Sequence, residues 1–310
     1  MSSYGSSISV VGGCGIGMTM KMERVPGAGE TVSGASFATG PGGKGSNQAI
    51  AARRLGAEVA LFSIVGPDDH GRMLRALWRS EGVDDASVLI GSAPTMVGSI
   101  LVDANGENRV IVAPGALAEL TASSISSFAP RIEAGAALLV SLEVPVETAA
   151  AALACARAAG VATVLNAAPA TALPAEARAQ TDHLIPNRSE AALLTGRDPA
   201  EPGDALVDAL RAEFSGTIVM TIGSEGVLVD DGSNREHVAA VEVETVVDST
   251  GAGDAFCAAY TTALVEGAEP IEAARFATHA GAFAVTVDEV VPALPHRVDL
   301  PRLAAATGRL

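Results

Sequence analysis

Two segments hold the residues best suited to chemistry. The first is Gly40-Pro41-Gly42-Gly43-Lys44-Gly45-Ser46-Asn47-Gln48-Ala49. Its glycines let the backbone approach a ligand closely, and the helix that follows would face that ligand with its N-terminus. Lys44 and Asn47 add donors suited to hydroxyl groups. The second is Val247-Asp248-Ser249-Thr250-Gly251-Ala252-Gly253-Asp254-Ala255-Phe256. Gly251, Ala252 and Gly253 begin another helix, so their N–H groups lack intrahelical partners and the dipole favours negative charge there. That is a place for a phosphoryl group in transfer. Asp254 lies in the same first turn, where a carboxylate beside an anion hole suits a general base for an attacking hydroxyl. Each segment also has a plainer reading: a glycine turn that caps a helix, and an Asp that offsets a helix dipole.

The elements that must position these residues follow a regular pattern. Short apolar, β-branched runs predict strands over 8–11, 59–65, 137–141, 161–165, 183–185 and 217–222, with another near 241–243. Helical spacing predicts helices over 44–55, 69–80, 146–159, 190–194, 203–214, 252–265 and 271–284, and then a C-terminal helix. In the second of these, Met73, Leu74, Leu77 and Trp78 share one face. Residues 227–238 read as a hairpin. The alternation argues for an α/β fold: a doubly wound, mostly parallel sheet with helices on both faces. Two stretches do not fit it. Residues 14–40 alternate without a helical period, and 93–112 do so around Asn105-Gly106, a strong hairpin signal. They are expected to pair as a small β lid on a core made of 1–13, 41–92 and 113–310.

Composition narrows the function. Lys+Arg is 20 against Asp+Glu 36, a net charge of −16. A chain that tracks phosphates along a nucleic acid, or docks on an anionic membrane, should be basic. Neither partner is expected. Cys14, Cys155 and Cys257 stand far apart with no C-x-x-C pair, which predicts three small apolar residues in a reducing compartment. The N-terminus lacks a basic, then apolar, signal region, so a cytoplasmic chain is expected. Gly12-Gly13-Cys14-Gly15-Ile16-Gly17 fails the spacing of a dinucleotide fingerprint, and Gly45 after Lys44 rules out a Walker A loop. The five histidines show no ligand spacing and read as surface or packing residues.

Taken together, the two glycine segments resemble both signatures of the ribokinase family, the PfkB-type carbohydrate kinases. The resemblance continues between them, in Pro26-Gly27-Ala28-Gly29-Glu30-Thr31, Asn105-Gly106-Glu107-Asn108, Ser141-Leu142-Glu143, Leu165-Asn166-Ala167-Ala168-Pro169-Ala170, Pro186-Asn187-Arg188-Ser189-Glu190 and Thr221-Ile222-Gly223-Ser224-Glu225-Gly226. It implies an ATP- and Mg²⁺-dependent kinase acting on a primary hydroxyl of a pentose or related small sugar, with ribose leading. A nucleoside kinase of the same family, or an idle sugar- or nucleotide-binding protein, are the alternatives; an intact Asp254 and Gly251-Ala252-Gly253 speak against the idle one. By resemblance, Asp254 is the base and Gly251, Ala252 and Gly253 form the anion hole. Gly42, Gly43, Lys44, Asn47 and Glu143 hold sugar hydroxyls. Asn187, Thr221, Gly223, Ser224, Gly226 and Gly253 meet the nucleotide. Glu190 acts near Mg²⁺, and Asp248 with the carbonyl of Thr250 matches a K⁺ site. A homodimer through the lid is also implied.

This sequence departs from the family pattern at two places. Gly17 stands where the family usually has an Asp that binds two sugar hydroxyls, which counts against ribose more than against the kinase. Glu289 and Ala293 stand where ribokinases have Gly and Ser, which counts against K⁺ activation.

Overall fold

The structure, a computed structural model, describes residues 7–105 and 108–301. Gly106 and Glu107, part of the expected hairpin, and the expected C-terminal helix lie outside the described residues. The strands are β1 (Ser7–Val11), β2 (Gly15–Lys21), β3 (Ser36–Gly42), β4 (Glu58–Phe62), β5 (Ile64–Val65), β6 (Leu89–Ile90), β7 (Met96–Val102), β8 (Asn108–Ala113), β9 (Ala137–Ser141), β10 (Ala162–Asn166), β11 (His183–Ile185), β12 (Thr217–Thr221), β13 (Val227–Asp230) and β14 (Arg235–Val238). The helices are α1 (Lys44–Arg54), α2 (Asp69–Ser80), α3 (Ala129–Glu133), α4 (Val146–Ala158), α5 (Ala175–Ala179), α6 (Arg188–Thr195), α7 (Gly203–Arg211), α8 (Ala252–Val265), α9 (Pro270–Ala284) and α10 (Val290–Ala293).

An eight-stranded sheet runs in the order β14-β13-β12-β11-β10-β9-β1-β4. Its strands from β4 to β12 are parallel, and β13 and β14 add an antiparallel edge. Both faces are covered. Ile8, Val10 and Leu139 pack with α1, α2, α8 and α9, whereas Val11, Leu138 and Val140 pack with α4 and α7. This is the doubly wound α/β fold that the alternation predicts. The chain leaves β1 toward β4 on one side and later returns to β9 on the other. The switch point, where open α/β sheets bind ligands, therefore lies between β1 and β9.

A separate four-stranded sheet has the order β3-β2-β7-β8. β2 pairs with β3 antiparallel and with β7 parallel. β3 continues to Gly42 and β8 to Ala113, so the sheet overruns the boundaries at 40 and 112 expected from sequence. The reason is register: Gly15 to Lys21 pair without a break with Ser36 to Gly42.

Other expectations change as well. No strand forms at 241–243. Its residues alternate between Val and Glu, a pattern that a loop at the sheet edge also tolerates. The 59–65 strand breaks at Ser63, whose hydroxyl donates to the carbonyl of Gly12 (2.7 Å) and so ties the break to the end of β1. On α2, Leu74 and Trp78 are buried but Met73 is 48% exposed, because one residue's rotation carries it off the apolar stripe. The 115–133 stretch, given no helix from sequence, folds into 3₁₀ turns and α3.

Among the described residues, Glu289 is the one non-glycine with a positive φ (66°). Such a backbone costs about 1–3 kcal/mol, and glycine returns part of that through unfolded-chain entropy. Glu289→Gly is therefore expected to stabilise the fold by about 1 kcal/mol. A urea midpoint that stays put or falls would contradict this.

Candidate active site

The ends of β1, β9 and β10 and the starts of α1 and α8 converge at the switch point. Close backbone contact makes this possible. A Cβ at Gly45 would lie 2.5 Å from the carbonyl carbon of Gly12, and one at Gly13 would lie 2.5 Å from Glu143 Oε2. The N–H of Ser46 donates to the carbonyl of Gly13 (3.1 Å), and Trp78 Nε1 donates to Ser46 Oγ (2.8 Å). The first turn of α1 is thereby locked onto the end of β1.

Asp254 sits in the first turn of α8 and is 7% exposed. Asn47 Nδ2 donates to its Oδ2 at 2.8 Å, and Gln48 Nε2 donates to its Oδ1 at 3.0 Å. Burial raises the Asp254 carboxyl pKa, opposed by the Lys44 charge and these two amides. Glu143 Oε2 accepts the backbone N–H of Lys44 at 2.6 Å. Desolvation lifts the Glu143 carboxyl to about 7, against the Lys44 charge and with help from Asp254. Burial opposes the charge on Lys44, yet the fields of Asp254, Glu143 and Glu190 outweigh it and raise its pKa. One ammonium thus lies in the field of three carboxylates. Cys257, one helical turn beyond Asp254, is buried among the same charges, and its thiol pKa rises for lack of solvation.

The remaining predicted residues lie at or just after the ends of β11 and β12 and in the approach to and first turn of α8. Asn187 caps α6, accepting from Glu190 N (2.8 Å), while Glu190 Oε2 accepts from Asn187 N (2.8 Å). That reciprocal box aligns both side chains. Asn187 also bridges Thr221 at the end of β12. Gly223 and Ser224 form a 3₁₀ turn, closed by Ile222 N–H on the carbonyl of Gly226 (2.8 Å). Gly226 needs to be glycine: φ is 107°, and a Cβ would lie 2.1 Å from the carbonyl oxygen of Val238. Gly251 has φ 84° and caps α8 at its N-terminus, while a Cβ on Gly253 would meet nothing within 4 Å. Asp248 turns back on its own loop, its Oδ1 accepting from Thr250 N (2.9 Å) and Oγ1 (2.7 Å).

Sequence reasoning missed Gln48 and assigned no role to Asn166. Gln48 Nε2 donates both to Asp254 Oδ1 and to Asn166 Oδ1, each at 3.0 Å. A fully polar residue on the buried face of α1 is the one signal that could have pointed to it.

The chain as a whole is similar to known proteins. The family model described as pfkB family carbohydrate kinase matches residues 6–297. Ribokinase of Haemophilus influenzae is 34% identical over 87% of this chain and 89% of its own. Ribokinase of Bacillus subtilis is 33% identical over 96% of this chain and 99% of its own. Among solved structures, Arabidopsis thaliana ribokinase complexed with ribose and ATP superposes with a TM-score of 0.86 at 27% identity, covering 95% of this chain and 97% of that one. Sequence kinship and shared architecture run the length of the described residues, so the chain belongs to the pfkB family of carbohydrate kinases and is an ATP-dependent sugar kinase.

Proposed function

We propose that the chain transfers the γ-phosphate of ATP to a primary hydroxyl of a pentose, with ribose as the leading substrate. The observation that carries this reading is the buried Asp254, held by two amides at the N-terminus of α8 and facing the glycine loop of α1. In the step, the sugar hydroxyl gives its proton to Asp254 as its oxygen bonds to the γ-phosphorus. The bond from that phosphorus to the β–γ bridging oxygen breaks, and ADP leaves. The N–H groups at the start of α8 meet the charge that spreads over the phosphoryl oxygens. Gly42, Gly43, Lys44, Asn47 and Glu143 hold the sugar. Asn47 Oδ1 is buried with no hydrogen-bond partner, which suits an incoming hydroxyl donor.

Asn187 and the 221–226 turn are assigned to the nucleotide. Among the described residues no three acidic, His or Cys side chains cluster to hold a metal. Mg²⁺ keeps its waters and leans on phosphates with one or two carboxylates, and Glu190 is the carboxylate assigned to it. The ion would neutralise phosphate charge. Among the described residues no helix is long and apolar enough to cross a membrane, and a cytoplasmic location is part of the proposal. So are the small sheet as a lid and a homodimer through it: Met20 and Phe37, cross-strand partners, and Ile111 expose their side chains there. Gel filtration at 31.0 kDa would sink the dimer.

One observation favours a bulkier substrate such as a nucleoside. Gly17 pairs with Gly40 on one side and Gly98 on the other. Cβ atoms at Gly40 and Gly98 would meet nothing within 4 Å, and one at Gly17 would make only ordinary contacts, with Ile100 Cδ1 at 3.5 Å and the Gly40 carbonyl oxygen at 3.8 Å. The row is bare by choice of residue and not by crowding. An ADP-release screen over pentoses, hexoses and nucleosides, with Na⁺ or K⁺, decides. Turnover of ribose well above the rest supports the leading reading; preference for nucleosides overturns it.

Glu143 links binding to pH. Its folded pKa of about 7 exceeds the usual 4.5. The ligand-free fold therefore binds the extra proton between these values, and stability falls as pH rises from about 4.5 to about 7. Sugar binding needs the ionised acceptor, so sugar KM is expected to rise as pH drops below 7. Glu143→Gln should flatten both trends; a thermal melt series and KM against pH test them.

A further inference from the structure

The base is held from behind by a chain of amides whose direction is set by the main chain. Asn166 Nδ2 donates to the carbonyl of Ile185 at 3.1 Å. A carbonyl can only accept, so Asn166 must present Oδ1 on its other side. There Oδ1 accepts from Gln48 Nε2 at 3.0 Å. Gln48 in turn presents its second Nε2 hydrogen to Asp254 Oδ1 at 3.0 Å. Flipping the Gln48 amide would turn its oxygen against the Asp254 carboxylate and against Asn166 Oδ1 at once. Gln48 is fully buried, and its Oε1 has no hydrogen-bond partner. An apolar side chain of the same size would avoid that orphan. The core bears it where the amide meets the carboxylate of the proposed base.

We propose that Gln48 and Asn166 are positioning residues for phosphoryl transfer. They form a polarity relay from the Ile185 carbonyl that aims one N–H at Asp254 Oδ1, stops rotation of the carboxylate and favours its ionised form. Asn47 holds the other oxygen but also faces the sugar. Gln48 is the anchor that is independent of substrate. The relay contributes no proton and touches no substrate. It rests on the reading of Asp254 as the base.

The test uses Gln48→Met, which keeps length and removes the donors, and Asn166→Ala, which frees the Gln48 amide to flip. For each, kcat is expected to fall about 10- to 100-fold with sugar KM within about twofold. The acidic limb of the kcat–pH profile should move to higher pH, because a hydrogen bond that favours the carboxylate is lost. The double variant should be no slower than Gln48→Met, since both changes cut one chain. Should Gln48→Met not fold, Asn166→Ala carries the same kcat and pH readouts. Losses that add in the double variant, or a pH limb that stays in place, overturn the relay. Asp254→Asn separates the two ideas. If it is inactive while Gln48→Met behaves as the native chain does, only the relay fails. If Asp254→Asn keeps full activity, the base assignment fails first.

Discussion

Asp254→Asn is expected to lower kcat about 1000-fold, within the range that general acid–base catalysis contributes, while sugar KM changes by less than about threefold. In energy that is about 4 kcal/mol of transition-state stabilisation. Asn keeps the shape and still accepts at Oδ1 from Gln48, but it cannot take the hydroxyl proton. The same substitution should not weaken the fold. Burial raises the Asp254 pKa. The folded state therefore favours the protonated acid, and ionisation of Asp254 costs stability as pH rises through its folded pKa. Removing that buried charge leaves the melting temperature at pH 8 equal or higher. Kinetics and a thermal melt on one preparation check both halves. A dead and unfolded variant would contradict the second half, and an active one the first. Stability given up at a working carboxylate is the expected cost of placing it in a dry site.

Gly43→Ala should be one of the more damaging single-methyl changes among the described residues, and it falls in the ligand loop. Gly43 precedes α1 with φ 91° and ψ 131°, where a side chain is strained at about 1–3 kcal/mol. Its Cβ would also lie 2.5 Å from Cys14 Cα and 2.7 Å from the carbonyl oxygen of Gly13. Both are backbone atoms and cannot swing aside, and overpacking of this kind adds about 1–3 kcal/mol. The sum, about 2–6 kcal/mol, is a large part of a typical domain's stability. Its neighbour supplies the control. A Cβ on Gly42 would approach only Gly17 N, at an ordinary 3.7 Å. Urea midpoints should drop steeply for Gly43→Ala and little for Gly42→Ala. Comparable midpoints for the two would refute the steric account. Whatever Gly43→Ala retains of its fold should bind sugar poorly, because the Ser46 to Gly13 bond that seats α1 is strained first.

Much of this was readable along the chain because it is local. Helices α2 and α8 and strands β9 and β11 lie where their periodicity predicts them, since an apolar stripe or a buried run depends on neighbours a few residues away. The glycine loop, the start of α8 and the Asn187–Glu190 box are likewise short-range patterns. The predicted 241–243 strand failed because a strand exists only if an edge accepts it, and no local pattern reports that. The outward turn of Met73 and the positive φ of Glu289 depend in the same way on what packs beside them.

The chain's order of residues thus determined an acidic α/β kinase with two lysines, of which Lys44 stands in the ligand loop. What the tertiary structure decided is how charge is balanced there. It sets Lys44 among Asp254, Glu143 and Glu190, residues about 100 to 210 positions away, and it joins Gln48 to Asn166 and Asp254 across 118 and 206 positions. Desolvation and hydrogen-bond direction arise only when distant strands close on one another, so the poise of the base was not written in any one segment.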